Sequence, residues 1–290
     1  MKKTIQVTKA SGESVPFDIN RLKKSLHRAG ASREVIEEIA TKIRMQLFEN
    51  IPTKKIYRIA FKLLKKASAH NAARYHLKNA IMELGPSGFP FEKFIAEILK
   101  WQGYETQTGV ISHGKCVSHE VDVIARKESD IIMAECKYHN RPGIFCDVKV
   151  PLYVNSRFKD LEYTWKNIPG RKDHNYAGWL VTNTRFSFDA VQYGTCAGLH
   201  LLSWDYPSKN GIKDQIDKLG LYPVTCLTTL TKTEKQKLLD KKIVLCHEIN
   251  MDIRLLRTIG VNEGRIPAVT EEVKKLCEQL FKNGNGNGDS

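Results

Sequence analysis

The segment VSHEVDVIARKESDIIMAECKYH, residues 117–139, is predicted to lie at the centre of the fold of this 290-residue chain. Two runs rich in β-branched and apolar residues, VSHEVDVIA (117–125) and DIIMAECKY (130–138), flank the polar segment RKES (126–129). This pattern predicts a β-hairpin. Carboxylates interrupt runs that are otherwise strongly apolar, which is typical of buried strands rather than of a solvated edge. The rest of the chain is therefore predicted to fold around these two strands.

Three charged side chains stand where the apolar runs of this hairpin end. Residues two apart in a strand point to the same face, so Glu135 and Lys137 are predicted to emerge together. Asp122, on the preceding strand, is predicted to reach the same patch across the hairpin. Two carboxylates can hold a hard divalent cation, and the ammonium beside them can stabilise charge on a phosphate or a metal-bound hydroxide. The alternative is an exposed strand face with one cross-strand ion pair.

The composition predicts a polyanionic partner. The chain has 46 Lys and Arg against 32 Asp and Glu, a net charge of +14. Residues 1–85 hold 18 of those bases and 7 of the acids, a net charge of +11. Seven cysteines without a C-x-x-C pair fit reduced thiols and argue against a disulfide framework or a zinc ribbon. No apolar run reaches transmembrane length and the first residues are polar, so we expect a cytoplasmic protein with no membrane partner and no signal peptide.

Residues 1–85 predict a small helical domain that opens with a β-hairpin. The turn is expected at Ser11-Gly12, and four helices with apolar residues at 3.6-residue spacing follow. The predicted N-caps of the first three helices are Asp18, Ser32 and Thr53.

This stretch resembles the ATP-cone, a nucleotide-sensing domain best known from ribonucleotide reductases. The matching pieces, within residues 4–84, are VTK followed by SG, then PFD, LKKSLHRAG and IPTKKI. The resemblance implies binding of an adenine nucleotide, ATP or dATP, by a hairpin and its surroundings that include Lys9, Gly12, Arg21 and Thr53. Ala10 and Ser11 depart from the family, which usually has a basic residue followed by an acidic one there. The alternative is a cone that serves as a basic DNA-holding domain.

The segment GPSGFP (85–90) predicts a domain boundary because it combines two glycines with two prolines. Residues 86–221 then follow the order helix, three strands, helix, strand, helix, strand, which predicts a mixed sheet flanked by helices. Glu92 lies in the first turn of the first of these helices, where a carboxylate suits the helix dipole or faces the cation site. Residues 222–282 predict a small helical region, and NGNGNGDS (283–290) predicts a disordered tail.

The helical region 222–282 leaves two interpretations open. Its segment from Leu255 to Val261 is faintly similar to a helix-hairpin-helix, whose glycines let backbone amides approach phosphate. A packing or dimerisation appendage is favoured over that, and we expect a homo-oligomer. The predicted fold class is therefore multi-domain α/β, with helical domains at both ends.

Residues 86–206 resemble the Mrr-like branch of the PD-(D/E)xK nucleases, the fold of many restriction endonucleases. The matching pieces, in order, are FE with an apolar helix ending in GY, then HEVDVIA, ECKYH, and WLVTN with its following helix. Joined to an ATP-cone, this core resembles a bacterial group described as ATP-cone-containing restriction endonucleases. Many Mrr-like proteins carry glutamine where Glu135 stands, whereas glutamate is the ordinary residue of the wider superfamily.

This resemblance implies an Mg²⁺-dependent endonuclease that hydrolyses phosphodiester bonds of DNA. Asp122 and Glu135 would hold Mg²⁺, with the carbonyl of Cys136 as a further ligand. Glu92 would complete the shell or bind a second ion. Lys137 would orient or deprotonate the attacking water, or stabilise the pentacovalent phosphate.

Two other functions stay open. The first is a non-catalytic, nucleotide-sensing DNA-binding regulator on a nuclease fold, against which the intact D…E-x-K set counts. The second is a regulator of the reductase type, in which the cone is the working part. Such a regulator is expected to carry a zinc ribbon, and the chain has no C-x-x-C pair.

Overall fold

The computed structural model describes residues 5–9 and 11–284, with side chains up to residue 278. The chain forms two compact units. The first combines the N-terminal residues up to Ala80 with Tyr222–Glu278, and the second contains Ile81–Leu221. The C-terminal helical region therefore folds together with the N-terminal domain, although some 140 residues of sequence separate them.

The N-terminal domain has the predicted hairpin and four helices. Its elements are β1 (Gln6–Thr8), β2 (Ser14–Pro16), α1 (Ile19–Arg28), α2 (Arg33–Arg44), β3 (Ile51–Pro52), α3 (Thr53–Ala67) and α4 (Ala69–Met82). β1 pairs antiparallel with β2 and parallel with β3. The helices enclose a core that includes Leu26, Ile39, Ile43, Ile51, Ala60, Leu64 and Ala72.

Two of the three predicted N-caps are confirmed. Asp18 accepts a hydrogen bond from the Asn20 amide at 2.8 Å, and Ser32 caps α2 through the Val35 amide. The prediction for Thr53 is wrong, because Pro52 occupies the N-cap position and Thr53 is the first residue of α3. Pro52 ends β3 with an extended backbone (φ −61°, ψ 132°), so the chain enters the helix directly from the strand.

The second unit contains a five-stranded mixed sheet. Its elements are α5 (Phe89–Trp101), β4 (Glu105–His113), β5 (Ser118–Lys127), β6 (Asp130–Lys137), β7 (Phe145–Cys146), α6 (Lys149–Lys166), β8 (Asn175–Thr182), β9 (Arg185–Phe186), α7 (Phe188–Cys196), β10 (His200–Leu202) and α8 (Ile212–Leu219). The strand order is β10-β8-β6-β5-β4. β4, β5 and β6 are antiparallel neighbours, whereas β8 and β10 run parallel to β6. The predicted mixed sheet, with antiparallel strands first and crossovers after, is confirmed.

Some details of the second unit differ from the sequence prediction. The turn between β5 and β6 contains only Glu128 and Ser129, because Arg126 and Lys127 continue β5. The predicted four-residue turn RKES was therefore too long, because charged residues at the exposed end of a strand look like turn residues in sequence. The short parallel pair β7–β9 and helix α8 were not predicted.

Helices cover the two faces of the sheet. α6 and α7 pack on a core that includes Ile124, Ile131, Met133, Leu180, Phe158, Leu161 and Ala190. The residues that alternate with these in β5 and β6, such as Val123 and Ile132, are also buried and lie on the opposite face. α5 contacts β4, β5 and β6 and buries its apolar stripe, which includes Phe91, Phe94, Ile95 and Ile98. The paired part of β5 and β6 is thus enclosed between helices on both faces of the sheet.

The C-terminal region consists of α9 (Lys232–Asp240), α10 (Cys246–Met251), α11 (Arg254–Thr258) and α12 (Ile266–Gly284). Hydrogen bonds join it to the N-terminal domain, from the Thr225 hydroxyl to the carbonyl of Ala80 (2.7 Å) and from Lys65 Nζ to the carbonyl of Thr228 (2.6 Å). α12 includes the first two residues of the predicted tail, and residues 285–290 lie outside the described part. Within that part, no helix is both long and apolar enough to cross a membrane.

The turn after α11 does not offer amides to a ligand. Gly260, with φ 87°, ends this helix. Its amide donates to the carbonyl of Arg257, and the amide of Val261 donates to the carbonyl of Leu256. Both amides are thus used to close the helix end, which supports packing over phosphate binding at this turn.

Candidate active site at a fork between two strands

A fork opens in the sheet between β5 and β6. Their pairing stops at Val123 and Ala134, although both strands continue past this point. β5 stays paired with β4 up to its first residue, and β6 stays paired with β8 up to its last. The strands therefore separate, and the structure brings Asp122, Glu135 and Lys137 to the place where they do so.

The strand β5 is irregular at Asp122. Val121 and Ile124 both pack in the core under α6, whereas residues three apart in a regular strand lie on opposite faces. The alternation is therefore interrupted between them. Gly109, which stands opposite Asp122 on β4 between the pairs Thr108–Val123 and Val110–Val121, has φ 61°, a conformation that favours glycine.

This irregularity lets the Asp122 carboxylate turn towards β6. Its Oδ2 accepts a hydrogen bond from the amide of Cys136 at 2.7 Å, where strand pairing would otherwise continue. The side chain thus takes the place of a backbone partner and holds the two strands at the fork. It also fixes the orientation of Asp122 next to Glu135.

Carboxylates from three elements face the fork. Burial raises the pKa of Glu135 to about 7, and the negative charge of Asp122 adds to the effect. Burial likewise raises the pKa of Glu92, on α5, to about 7, with further contributions from Asp122, Glu120 and Glu135. The pKa of Asp122 is also raised by burial, although the Cys136 amide opposes the shift. This concentration of negative charge is one that a bound cation would stabilise.

Arg157 of α6 supplies a positive charge that the sequence analysis had not assigned to the site. Its Nη1 donates to Glu135 Oε2 and its Nη2 donates to the carbonyl of Glu120. The side chain is only 11% exposed, and its Nε has no hydrogen-bond partner among the described residues. Arg157 was one of several basic residues in a predicted helix, and nothing in the sequence showed which of them faces the sheet.

Lys137 ends β6 with an exposed side chain. Its carbonyl accepts a hydrogen bond from the Thr182 hydroxyl at 2.8 Å, which fixes the strand end. Its charge lowers the pKa of both Asp122 and Glu135, in opposition to burial. The expected grouping of two carboxylates and an ammonium is therefore present. His119 of β5 interacts with Asp160 of α6, with 2.8 Å between His119 Nε2 and Asp160 Oδ2.

The expected magnesium site is not preassembled. Within the described side chains, no group of three or more His, Cys, Asp or Glu residues is arranged to hold a metal ion. The donors at the fork nevertheless fit a hard cation by their chemistry. Asp122, Glu135 and Glu92 supply carboxylate oxygens, the ligands that Mg²⁺ takes, and burial raises the pKa of all three.

The raised pKa of Glu92 predicts how the metal-free protein responds to pH. A carboxyl group with a pKa of 4.5 unfolded and about 7 folded binds more protons in the folded state between these values. The free energy of unfolding should therefore fall as pH rises from about 5 to about 8. Glu92→Gln should make this fall shallower in urea unfolding with EDTA. Glu105→Gln, at an exposed position of β4, is the control, and an equal effect of both variants would contradict the prediction.

The candidate nucleotide residues lie at one end of the small N-terminal sheet. Thr8 pairs with Pro52 in the parallel pair β1–β3, so Lys9 and Thr53 follow adjacent strand ends. The hairpin turn is closed by the Gly12 amide, which donates to the carbonyl of Lys9, and Gly12 has φ 85°. Lys9 Nζ forms an ion pair with Glu13 at 2.9 Å. Ala10, the first of the two residues that depart from the usual ATP-cone sequence, lies outside the described residues.

Arg21 does not share this position. α1 follows the other end of the hairpin, where Gln6 pairs with Pro16. Arg21 is 79% exposed and its Nε lies 3.6 Å from Asp18. The structure thus places Lys9, Gly12 and Thr53 near one another and leaves Arg21 apart from them.

Comparison with known proteins identifies both ends of the chain. The crystal structure titled as a protein of unknown function, AF1548, matches with a TM-score of 0.54 and 33% identity, and the match covers 66% of this chain and 99% of that one. The family model described as AF1548-like, C-terminal, matches residues 222–277. The chain belongs to the AF1548-like family.

Another relative has a similar extent. An uncharacterized protein of Archaeoglobus fulgidus is 35% identical over 183 residues, which is 63% of this chain and 99% of that protein. The family model described as ATP cone domain matches residues 5–78. The predicted ATP-cone is confirmed. The names of these relatives state no activity, so the nuclease resemblance of residues 86–206 stays a prediction.

Proposed function

We propose that this chain is an Mg²⁺-dependent DNA endonuclease and that the fork between β5 and β6 is its active site. One observation carries the proposal. Asp122, Glu135 and Glu92 come from three separate elements, the charge of Asp122 adds to the raised pKa of both Glu135 and Glu92, and Lys137 lies beside Asp122 and Glu135. Burying several carboxylates together destabilises a fold, and perturbed acids of this kind cluster at functional sites.

The cation would be held by Asp122, Glu135 and Glu92, with the carbonyl of Cys136 as a further ligand. When bound, Mg²⁺ would polarise the phosphate and lower the pKa of a water molecule. Lys137 can orient that water and stabilise negative charge on the phosphate, because its side chain is exposed next to both carboxylates.

Arg157 would also contribute to this active site. Its guanidinium donates to Glu135, and its side chain is only 11% exposed. A buried guanidinium that is paired with a buried carboxylate balances its charge. Arg157 would therefore compensate Glu135 when no cation is present.

The ATP-cone supports regulation by ATP or dATP. Lys9 and the N-terminus of α3 next to Thr53 lie at the same sheet end, and both can hold phosphate. If the nucleotide binds one arrangement of the chain better than another, its effect on DNA cleavage would have the size typical of allosteric couplings, about 5- to 150-fold.

A second function is favoured by a specific observation. The Arg157–Glu135 ion pair already balances one carboxylate, and the described side chains include no preassembled metal cluster. A non-catalytic, nucleotide-sensing DNA-binding regulator would have these two features. It differs from the nuclease in that divalent metal would not lead to strand breakage.

Supercoiled plasmid DNA incubated with the full-length protein tests the proposal. Nicked and linear products are expected with Mg²⁺ and none with EDTA. ATP and dATP are added in parallel reactions, because a nuclease that requires a nucleotide bound to its ATP-cone would not cleave DNA without one. Intact plasmid under all these conditions, together with measurable DNA binding, would establish the regulator and overturn the nuclease.

Nucleotide binding gives a separate prediction. The full-length protein should bind ATP or dATP more tightly than GTP or inorganic triphosphate in calorimetry. Lys9→Ala should weaken this binding about 10- to 100-fold, as expected for the loss of one charged hydrogen bond. Lys24→Ala removes an exposed charge from α1 of the same domain and is the control. Equal losses in both variants, or equal binding of triphosphate, would show that charge alone holds the ligand.

A further inference from the structure

Helix α3 carries an unusual concentration of positive charge. It contains six basic residues and no acidic residue: Lys54, Lys55, Arg58, Lys62, Lys65 and Lys66. With about 100° of rotation per residue, all six fall within an arc of about 120°. They span a length of about 18 Å along the helix, at 1.5 Å per residue. All six are exposed, and we name this surface the α3 basic stripe.

The buried side of α3 holds Ile56, Ala60 and Leu64, which pack in the core of the N-terminal domain. This packing explains why the helix forms, but it does not explain why the exposed face is so basic. An ordinary solvated helix face mixes charges of both signs, as α2 does with three glutamates among its bases. On α3 the like charges repel one another at helical spacing, which destabilises the helix by a few tenths of a kcal/mol per pair.

The stripe is not neutralised within its domain. The ion pairs there join other bases to their acids, for example Lys9 to Glu13 and Lys23 to Glu37. In the described part of the chain, no cation of the stripe has a carboxylate within ion-pair distance. Lys65 donates to a backbone carbonyl, that of Thr228, and Lys55 lies over the ring of Phe48 at 4.8 Å. These contacts position two side chains without removing their charge.

We propose that the α3 basic stripe binds the phosphate backbone of double-stranded DNA. A strand of duplex DNA presents a phosphate about every 3.4 Å of axis, so a band of cations about 18 Å long on one side of the helix can meet several successive phosphates. Backbone contacts of this kind carry no sequence information and fix the position of the protein on the duplex. The inference rests on the proposed function only in taking DNA as the partner.

The stripe is separate from the candidate nucleotide site. Thr53 lies about 160° around α3 from the centre of the stripe, on the side that follows β3. A small nucleotide held next to Thr53 would therefore leave the stripe free. This separation predicts that DNA binding and ATP binding respond to different substitutions.

Fluorescence anisotropy of a labelled DNA duplex, with full-length protein in EDTA, tests the stripe without any cleavage. The stripe variant is Lys54→Gln/Arg58→Gln/Lys62→Gln, and the control variant Lys24→Gln/Arg33→Gln/Arg44→Gln removes as many charges from exposed positions of α1 and α2. Glutamine has nearly the helix propensity of lysine and arginine, so both proteins should keep their wild-type circular dichroism.

The stripe variant should lose at least about tenfold in affinity, and its slope of log K against log salt should decrease by about 0.9 per lost phosphate contact, or about 3 in total. The control should change little, and both variants should bind ATP as the wild type does. Equal losses in the two variants, or an unchanged slope in the stripe variant, would overturn the proposal. Loss of ATP binding alone would assign the stripe to the nucleotide and overturn it as well. The anisotropy measurement reports DNA binding and not cleavage. It can therefore support or refute the α3 basic stripe whether or not the plasmid experiment shows nuclease activity.

Discussion

Replacing Lys137 by alanine is expected to lower the rate of DNA cleavage about 10²–10⁴-fold, the range typical for loss of an acid or base group. The exposed ammonium ends β6, and its charge acts on both Asp122 and Glu135. It is therefore placed to act on the water and the phosphate rather than to hold the fold together. DNA affinity in EDTA should stay close to that of the wild type.

The matched control is Lys149→Ala, which removes another exposed charge, from the first turn of α6 in the same unit. Its cleavage rate should remain within a few-fold of the wild-type rate. Nicking by the Lys137→Ala protein at the wild-type rate would remove Lys137 from the mechanism. A parallel loss of cleavage and DNA affinity would make it a DNA-contacting residue instead.

The second large effect is expected from the two central carboxylates. Asp122→Ala and Glu135→Ala should each abolish cleavage, and the double variant should be hardly worse than either. Both side chains would hold one ion, and residues that act as a unit are strongly non-additive. Asp122→Asn and Glu135→Gln keep the size of the side chains and should give the same result.

Calorimetry with Mg²⁺ separates this account from a structural one. Each of the four single variants should lose most of the Mg²⁺ binding that the wild type shows. Asp122 also accepts the Cys136 amide, so its alanine variant is compared with the asparagine variant for thermal stability. Undiminished Mg²⁺ binding in a folded variant would refute the ligand assignment and make the pair structural.

Much of the fold could be predicted from local sequence. Apolar runs broken by polar turns gave the antiparallel strands of the central sheet, and side-chain capping gave the starts of α1 and α2. These features depend on neighbouring residues, so they are visible along the chain. The ATP-cone was predicted for the same reason, since its motifs lie within one continuous stretch.

Features that depend on tertiary contacts were not predicted. Arg157 faces the fork because of how α6 lies on the sheet, and a helical pattern does not reveal that orientation. The irregular backbone at Asp122 depends on Gly109 of another strand. The union of the C-terminal helices with the N-terminal domain depends on contacts such as that between Thr225 and Ala80. In each case the partner lies too far away in sequence for local patterns to show it.

A time course of plasmid cleavage at increasing Mg²⁺, with wild-type and Glu135→Gln proteins purified in parallel, tests whether the fork is a nuclease centre. We expect nicked and then linear DNA with 5′-phosphate ends from the wild type, in amounts that saturate with Mg²⁺ and vanish with EDTA. The Glu135→Gln protein should still bind DNA and leave the plasmid supercoiled. Equal cleavage by both proteins, or none by the wild type at any Mg²⁺ or nucleotide concentration, would contradict a nuclease centre at the fork.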